Sequence, residues 1–345
     1  MRFRRPGKQQ QDLFAQINHA KELAVQETAF DKLATVVDFE MFREPLLELL
    51  GYKERVDKGG NAPFDPVFMF KILVLQKYHA LSEEQTGFQI RDRFSFMRFL
   101  GVSPGDALPD KNTIWDFKEA LGMAGVSELF DLLQSGLQQR GIYGKAGVMV
   151  DASFVEVPRQ RNQREENQSI KEGQRPPGWE GQTHKLRQKD LDARWTKKNQ
   201  QTYYGYKNHI KADVSTKLIK DYRVSEASLH DSQCFEQMLN QEDAMVYADS
   251  AYRSKESLRW LRKNKLKARL CQKGSKGRAL TPAQKRANRG KSRIRARVEH
   301  IFGSAKQMGA DFIRTIGADR ALREIGLGNF VYNLARLSQM KIKLA

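Results

Sequence analysis

The stretch Lys291-Ser-Arg-Ile-Arg-Ala-Arg-Val-Glu-His-Ile-Phe-Gly-Ser-Ala-Lys306 decides how the chain is read. Taken as a helix, it sets Ile294, Val298, Ile301, Ala305 and, just beyond, Met308 on one face at spacings of three and four. Arg295, Glu299, Phe302 and Lys306 form a second stripe, roughly 100° away. Glu299 then sits at the rim of a buried face, with a guanidinium one turn earlier. It is also the first acid after Glu256 in a run dense with lysine and arginine. Such a carboxylate is either the i,i+4 salt-bridge partner of Arg295 or a metal ligand acting on a polyanion.

The charge around this stretch favours a polyanion. The net charge is +19, yet Tyr252 to Val298 alone holds 18 Lys and Arg against the single acid Glu256. The remainder carries 42 basic and 40 acidic residues, so nearly all the excess lies in one block of 47. A run of charge can be merely a solvated tail, but apolar residues recur through this one at helical spacing. That describes a built surface, and double-stranded DNA is its expected partner, with Arg286, Arg289, Lys291, Arg293 and Arg297 on the backbone phosphates.

Other classes are excluded or disfavoured. With 40% hydrophobic and 10% aromatic residues the chain can pack a core. No apolar run approaches the ~18 residues of a membrane span, and Lys71 interrupts the greasiest segment, Val67 to Leu75. The basic N-terminus has no apolar segment behind it, so it does not read as a signal peptide. Only Cys234 and Cys271 are present, far apart, which fits a reducing compartment better than a disulfide or zinc scaffold. The expected location is the cytoplasm, in association with the nucleoid.

Residues 1–38 read as a polar arm and residues 39–140 as an all-helical N-terminal domain. Lys58-Gly-Gly-Asn-Ala-Pro63 marks a loop, and Asp65-Pro66 caps and opens an apolar helix. Ser82-Glu-Glu-Gln85 is a capping box for the next helix, and Gly101 stops the one after it. Further helices open near Pro109 and Val126. Residues 82–120 can form a helix-turn-helix, with Lys111, Asn112 and Thr113 on DNA, or a bundle that supports the next domain or a dimer.

From residue 141 the pattern becomes α/β. Val148-Met-Val-Asp-Ala-Ser-Phe154 is an apolar strand with an acid inside it. Residues 156–202 lose periodicity and read as a long flexible insertion with Trp179 and Trp195 in it. Tyr203 to Val214 and Leu218 to Glu226 read as paired strands, and Gln233 to Asn240 as a helix. A buried strand then ends on Asp249. A helix from Ser254, a short strand from Ala268, the basic helical stretch and a last helix from Ala318 to Met340 follow. This order describes a mixed sheet flanked by helices in one domain, 141–345.

Asp151, Asp249 and Glu299 are the acids placed for chemistry. A carboxylate within an apolar strand is costly to bury unless paired or bound to a cation. Each has a plainer reading, since Asp249 also precedes a helix and Glu299 can pair with Arg295. Together they offer the oxygen donors that Mg²⁺ or Mn²⁺ prefers, and two such ions can stabilise both oxygens of a phosphodiester displacement.

Asp151 in Val-Asp-Ala-Ser, Asp249 in Tyr-Ala-Asp-Ser-Ala-Tyr and the spacing of Arg295, Glu299 and Lys306 resemble bacterial insertion-sequence transposases of the DDE type. The resemblance is nearest to the insertion-sequence-five group, which is related to the insertion-sequence-four group. It covers roughly residues 40 to 340 and includes Tyr204-Gly-Tyr-Lys-Asn-His-Ile210, Ser228-Leu-His-Asp-Ser232 and the helical region from Phe64 to Leu121. It implies an RNase H-like catalytic domain with Asp151, Asp249 and Glu299 holding two metal ions, and Arg295 and Lys306 on phosphate. It further implies binding of terminal inverted repeats, hydrolysis that frees a 3′-OH, joining of that hydroxyl to target DNA, and a homodimer or larger assembly. The signature tyrosine three residues before Arg295 is Ser292 here, leaving Trp179, Trp195 and Trp260 as aromatic groups able to stack on a base. His209 reads as a satisfied core histidine rather than a phosphate contact. Two other readings stay open, a nuclease or resolvase of the same fold and a non-catalytic DNA-binding regulator.

Overall fold

A computed structural model describes residues 18, 21–23, 25–54, 62–274, 277 and 279–340. The first part of the expected arm and most of the loop at 58–63 lie outside the described residues. The helical region begins earlier than the sequence suggests, with α1 (Ala29–Val36). Phe30, Leu33 and Val36 of α1 are buried, and the Phe30 ring packs on Tyr78, Phe96 and Phe99. Arg98 fastens the helix by donating to Asp31 at 2.7 and 2.5 Å.

Then follow α2 (Arg43–Leu49), α3 (Pro66–Tyr78), α4 (Glu83–Asp92), α5 (Phe94–Leu100) and α6 (Lys111–Gln139). Asp65 caps α3 through the Phe68 amide at 2.9 Å, and the Ser82/Gln85 capping box opens α4. Helix α3 is apolar on nearly every side and is buried accordingly, at every position from Val67 to Leu75 except the half-buried Phe68 and Lys71. The two helices expected from Pro109 and Val126 run on as α6 across a kink at Gly122, whose φ of 61° is a conformation that glycine adopts at little cost.

The mixed sheet is built on β1 (Val148–Glu156). β3 (Gln201–Asp213) runs antiparallel to it, from Val148↔Asp213 to Glu156↔Gly205. β5 (Met245–Ala248) lies parallel to β1 on the other side, with β6 (Lys267–Leu270) parallel to β5. β2 (Arg194–Lys198) pairs with residues 201–205 of β3, and β4 (Ile219–Glu226) with residues 206–212. One hydrophobic cluster runs from α1 and α3 through α6 to Met149, Ile210, Val298 and Ile301, so helical region and sheet share a core.

Three expectations need correction. The segment between β1 and β3 is not a bare loop: it folds into α7 (Arg164–Lys171), α8 (Thr183–Gln188) and β2. Trp179 is buried there and donates to Glu166 at 2.8 Å, while Asp190 accepts from Tyr206 and from the Ala193 amide, each at 2.9 Å. The helix expected over Gln233 to Asn240 is instead a pair of single 3-10 turns, Asp231–Gln233 and Glu236–Met238. The basic stretch is two helices, α10 (Pro282–Arg295) and α11 (Arg297–Gln307), with a turn at Ala296, preceded by α9 (Lys255–Lys263) between β5 and β6.

The last helix, α12 (Ala318–Met340), binds the two regions together. Its Phe330 packs edge-on against Phe42 and Phe70 of the helical region. Toward the sheet, Asn329 and Asn208 exchange amide hydrogen bonds of 2.8 and 3.1 Å, and Asn333 bonds both backbone groups of Ile219 at 2.8 Å. Buried amides are tolerated because each finds a partner. Gly326 permits the close approach, since a Cβ there would lie 2.4 Å from the Tyr222 hydroxyl.

Candidate active site

Parallel pairing of β1 and β5 places Val148 beside Val246 and Met149 beside Tyr247. Two residues further along each strand stand Asp151 and Asp249. The period of two along a strand turns both acids to the face that Met149 and Tyr247 share. Met149 and Tyr247 belong to the same cluster as Val298 and Ile301 of α11, so this face of the sheet looks toward Glu299.

Arg295 gathers the acids. Its guanidinium donates to Asp151 at 2.5 Å and to Glu299 at 3.2 Å. Asp151 also accepts from the Ala152 amide at 2.9 Å, and Asp249 from the Ser250 amide at 2.5 Å. Burial pushes the Asp151 carboxyl above its usual range; Arg295 opposes the shift and the charge of Asp249 adds to it. The apolar stripe that holds this arrangement is the one read from sequence, with Val298, Ile301 and Met308 buried and Ile294 packed against them. Glu299 itself is largely exposed, its side chain 66% accessible.

Arg295 therefore does not stand free for phosphate; it is the counter-ion that the chain supplies to its own acids. Among the described residues no three acid, imidazole or thiol side chains converge closely enough to form a finished metal cage. The donor set nonetheless suits a hard cation. All three side chains offer carboxylate oxygens, and burial makes the most enclosed of them, Asp151, harder to ionise than an ordinary aspartate.

The expected DNA contacts divide. Arg286, Arg289 and Arg293 are exposed along α10. Lys291 and Arg297 instead anchor the helices to the sheet region, donating to the Leu270 and Val214 carbonyls at 2.9 Å. Lys306 is 74% accessible and 3.4 Å from Asp311. Lys111 and Asn112 are exposed in the first turn of α6, behind the N-cap Asp110.

Of the aromatic residues, Trp179 is buried and Trp260 is half-buried, packed against the cluster containing Val148. Trp195 is 41% exposed, with Tyr204 beneath it and Arg159 5.8 Å from its ring centre. Ser292, in place of the signature tyrosine, lies 3.5 Å from the Cys271 sulfur. His209 is fully buried, bonded to Ser225 at 2.8 Å and held neutral by burial, which lowers its pKa to about 4. Sequence reasoning missed the contact from Arg295 to Asp151, which no local pattern signals.

The chain matches the family described as Transposase DDE domain over residues 142–334. It belongs to the DDE transposases. A second match, Transposase domain (DUF772), covers residues 18–120. The helical region and the sheet region thus each carry transposase sequence, and the family consists of enzymes that act on DNA. Among solved structures, the chain is similar to piggyBac transposase in a synaptic complex with hairpin DNA. That similarity stands at 11% identity over 92% of this chain and 76% of the other, with a TM-score of 0.40. Among the described residues no helix is long and apolar enough to cross a membrane.

Proposed function

We propose that this DDE transposase is of the insertion-sequence-five group, with an RNase H-like catalytic domain built on β1. It binds terminal inverted repeats, hydrolyses the phosphodiester at each end and joins the freed 3′-OH to target DNA. The observation that carries the reading is the acid pair Asp151 and Asp249, level on neighbouring parallel strands, with Arg295 linking Asp151 to Glu299. Two Mg²⁺ or Mn²⁺ ions held by Asp151, Asp249 and Glu299 would supply Lewis-acid stabilisation of the attacking and leaving oxygens.

The chain's own residues do the rest. Arg295 keeps the Asp151 and Glu299 carboxylates oriented toward each other despite their like charge. The exposed Arg286, Arg289 and Arg293 hold the DNA backbone along α10, and Lys306 extends that contact one helix further. Lys111 and Asn112 touch DNA from the helical region, which also serves assembly into a homodimer or larger complex so that two ends can be paired.

Asp249→Asn tests the site. It removes a charge and leaves the fold, so strand cleavage of end DNA with Mg²⁺ should vanish while binding of that DNA stays near wild type. Cleavage at the wild-type rate would sink the assignment. Joining of pre-cleaved ends to a target plasmid separates a transposase from a nuclease that only cuts.

A further inference from the structure

The turn between β3 and β4, residues 214–218, is fixed from within and from without. Inside it, Asp213 accepts from the Ser215 amide at 2.9 Å, the Thr216 amide at 2.7 Å and the Thr216 hydroxyl at 2.9 Å. From outside, three side chains donate to its carbonyls. Arg297 of α11 reaches Val214 at 2.9 Å, Arg336 of α12 reaches Thr216 at 2.8 Å, and the Tyr332 hydroxyl reaches Lys217 at 2.9 Å. Lys217 itself has a φ of 63°, a left-handed conformation that a lysine adopts at some cost.

These contacts gather cations without acids. Lys217, His300, Ser304, Tyr332, Arg336 and Gln339 line a pocket of about 170 Å³, and among the described residues no carboxylate belongs to its wall. The turn's own acid, Asp213, is occupied by the three bonds inside the turn. The charges that act on Lys217 are those of Arg336 and Arg297, and with burial they lower its pKa. The space holds several waters at ~30 Å³ each, or one phosphate group. Like charges fixed together in a concave wall of donors are completed by an anion. On α11, Arg297, His300 and Ser304 recur at spacings of three and four, on the flank opposite Glu299 and Lys306. The exposed Arg286, Arg289 and Arg293 of α10 keep the same spacing up to Arg297.

We infer that this pocket binds a phosphate group, and that the phosphate is a backbone phosphodiester of DNA lying along the flank of α11 turned away from the acids. The choice of DNA rests on the function proposed above. Lys217 and Arg336 supply the charge, while His300 and Ser304 offer donors beside them. A phosphate seated on so rigid a turn fixes the position of the DNA, not the reading of its sequence.

Lys217→Asn removes the charge and suits the left-handed backbone, where asparagine is enriched. Lys217→Gly, equally at ease there, should repeat its effect, and Lys217→Arg keeps the charge. In EDTA, so that no cleavage intervenes, fluorescence anisotropy with end DNA across a salt series should show weaker binding by Lys217→Asn. Its salt slope should fall by about 1, with Lys217→Arg close to wild type. The melting midpoint of Lys217→Asn should not drop, which separates a lost contact from a lost fold. Unchanged affinity and slope in both neutral variants would overturn the inference, as would an equal loss in Lys217→Arg. Inorganic phosphate alone identifies the source of the anion. If it raises the melting midpoint of the wild type but not of Lys217→Asn, while both bind DNA alike, the pocket takes a free anion and the DNA contact falls. If the wild type binds no DNA at all, the function proposed above fails, and the phosphate melting then decides by itself whether the pocket is an anion site.

Discussion

Two regions of this protein bury carboxylates beside cations and reach opposite results. Where α12 meets the helical region, Glu324 lies 3.4 Å from each of Lys77, Lys118 and Arg323. Burial by itself would raise its pKa, but the three cations hold it down at about 2. Glu83 and Glu119 complete the network through Lys118 and Arg323, both at 2.5 Å. In the candidate active site one guanidinium serves Asp151 and Glu299, with Asp249 close by, and the pKa of the Asp151 carboxyl stays raised. The first network is closed and settles the fold. The second is short of positive charge, which suits the cations and phosphate proposed to bind there.

Breaking the closed network should produce the largest change in stability. Glu324→Gln leaves buried cations without their shared acid and should cost about 3–5 kcal/mol in urea unfolding. A loss below about 1 kcal/mol would show that Glu83 and Glu119 suffice.

The same carboxylate predicts acid sensitivity. Its folded pKa of about 2 lies below the ordinary value of 4.5, so its contribution is complete above pH 4.5 and is lost as the pH falls toward 2. That contribution is on the order of 3 kcal/mol. A midpoint flat across this window in the wild type, or an equally steep loss in Glu324→Gln, would contradict it.

The exposed arginines of α10 form a third charge environment, neither closed nor buried. Replacing Arg286, Arg289 and Arg293 with Gln should weaken end-DNA binding and lower the salt slope by about 2–3. Stability should hardly move, since surface substitutions stay within about 0.5 kcal/mol.

The smallest effect sharpens the contrast most. Because the folded pKa of Asp151 is raised, stability is lost as the pH climbs from 3.8 through that higher value, and the penalty persists at neutral pH. Asp151→Asn should therefore raise the melting midpoint at neutral pH while ending cleavage, with no such gain at low pH. A lowered midpoint would mean that the bond to Arg295 outweighs the cost of burying the charge.

Much of this was visible in the chain itself, for local reasons. Asp65-Pro66, Ser82 to Gln85 and Gly101 mark helix ends through chemistry contained within four residues. Asp151 and Asp249 stood out because an acid following an apolar strand is costly. The spacing of Ile294, Val298 and Ile301 announced the face that packs. Residues 157–200 misled because their order comes from scattered anchors, Trp179 on Glu166 and Asp190 on Tyr206, rather than from any period. Lys291 and Arg297 read as DNA contacts because a cation's sequence neighbours cannot show that a carbonyl on another element will claim it.

The sequence by itself determined most of the elements, the acids and the block of positive charge, since propensity, capping and composition act over a few residues. Only the tertiary structure decided which charges meet. Arg295 reaches Asp151 across 144 positions, and Lys77 reaches Glu324 across 247. Whether a carboxylate ends up over-compensated or under-compensated depends on its burial and on every cation packed around it, and both are properties of the assembled fold.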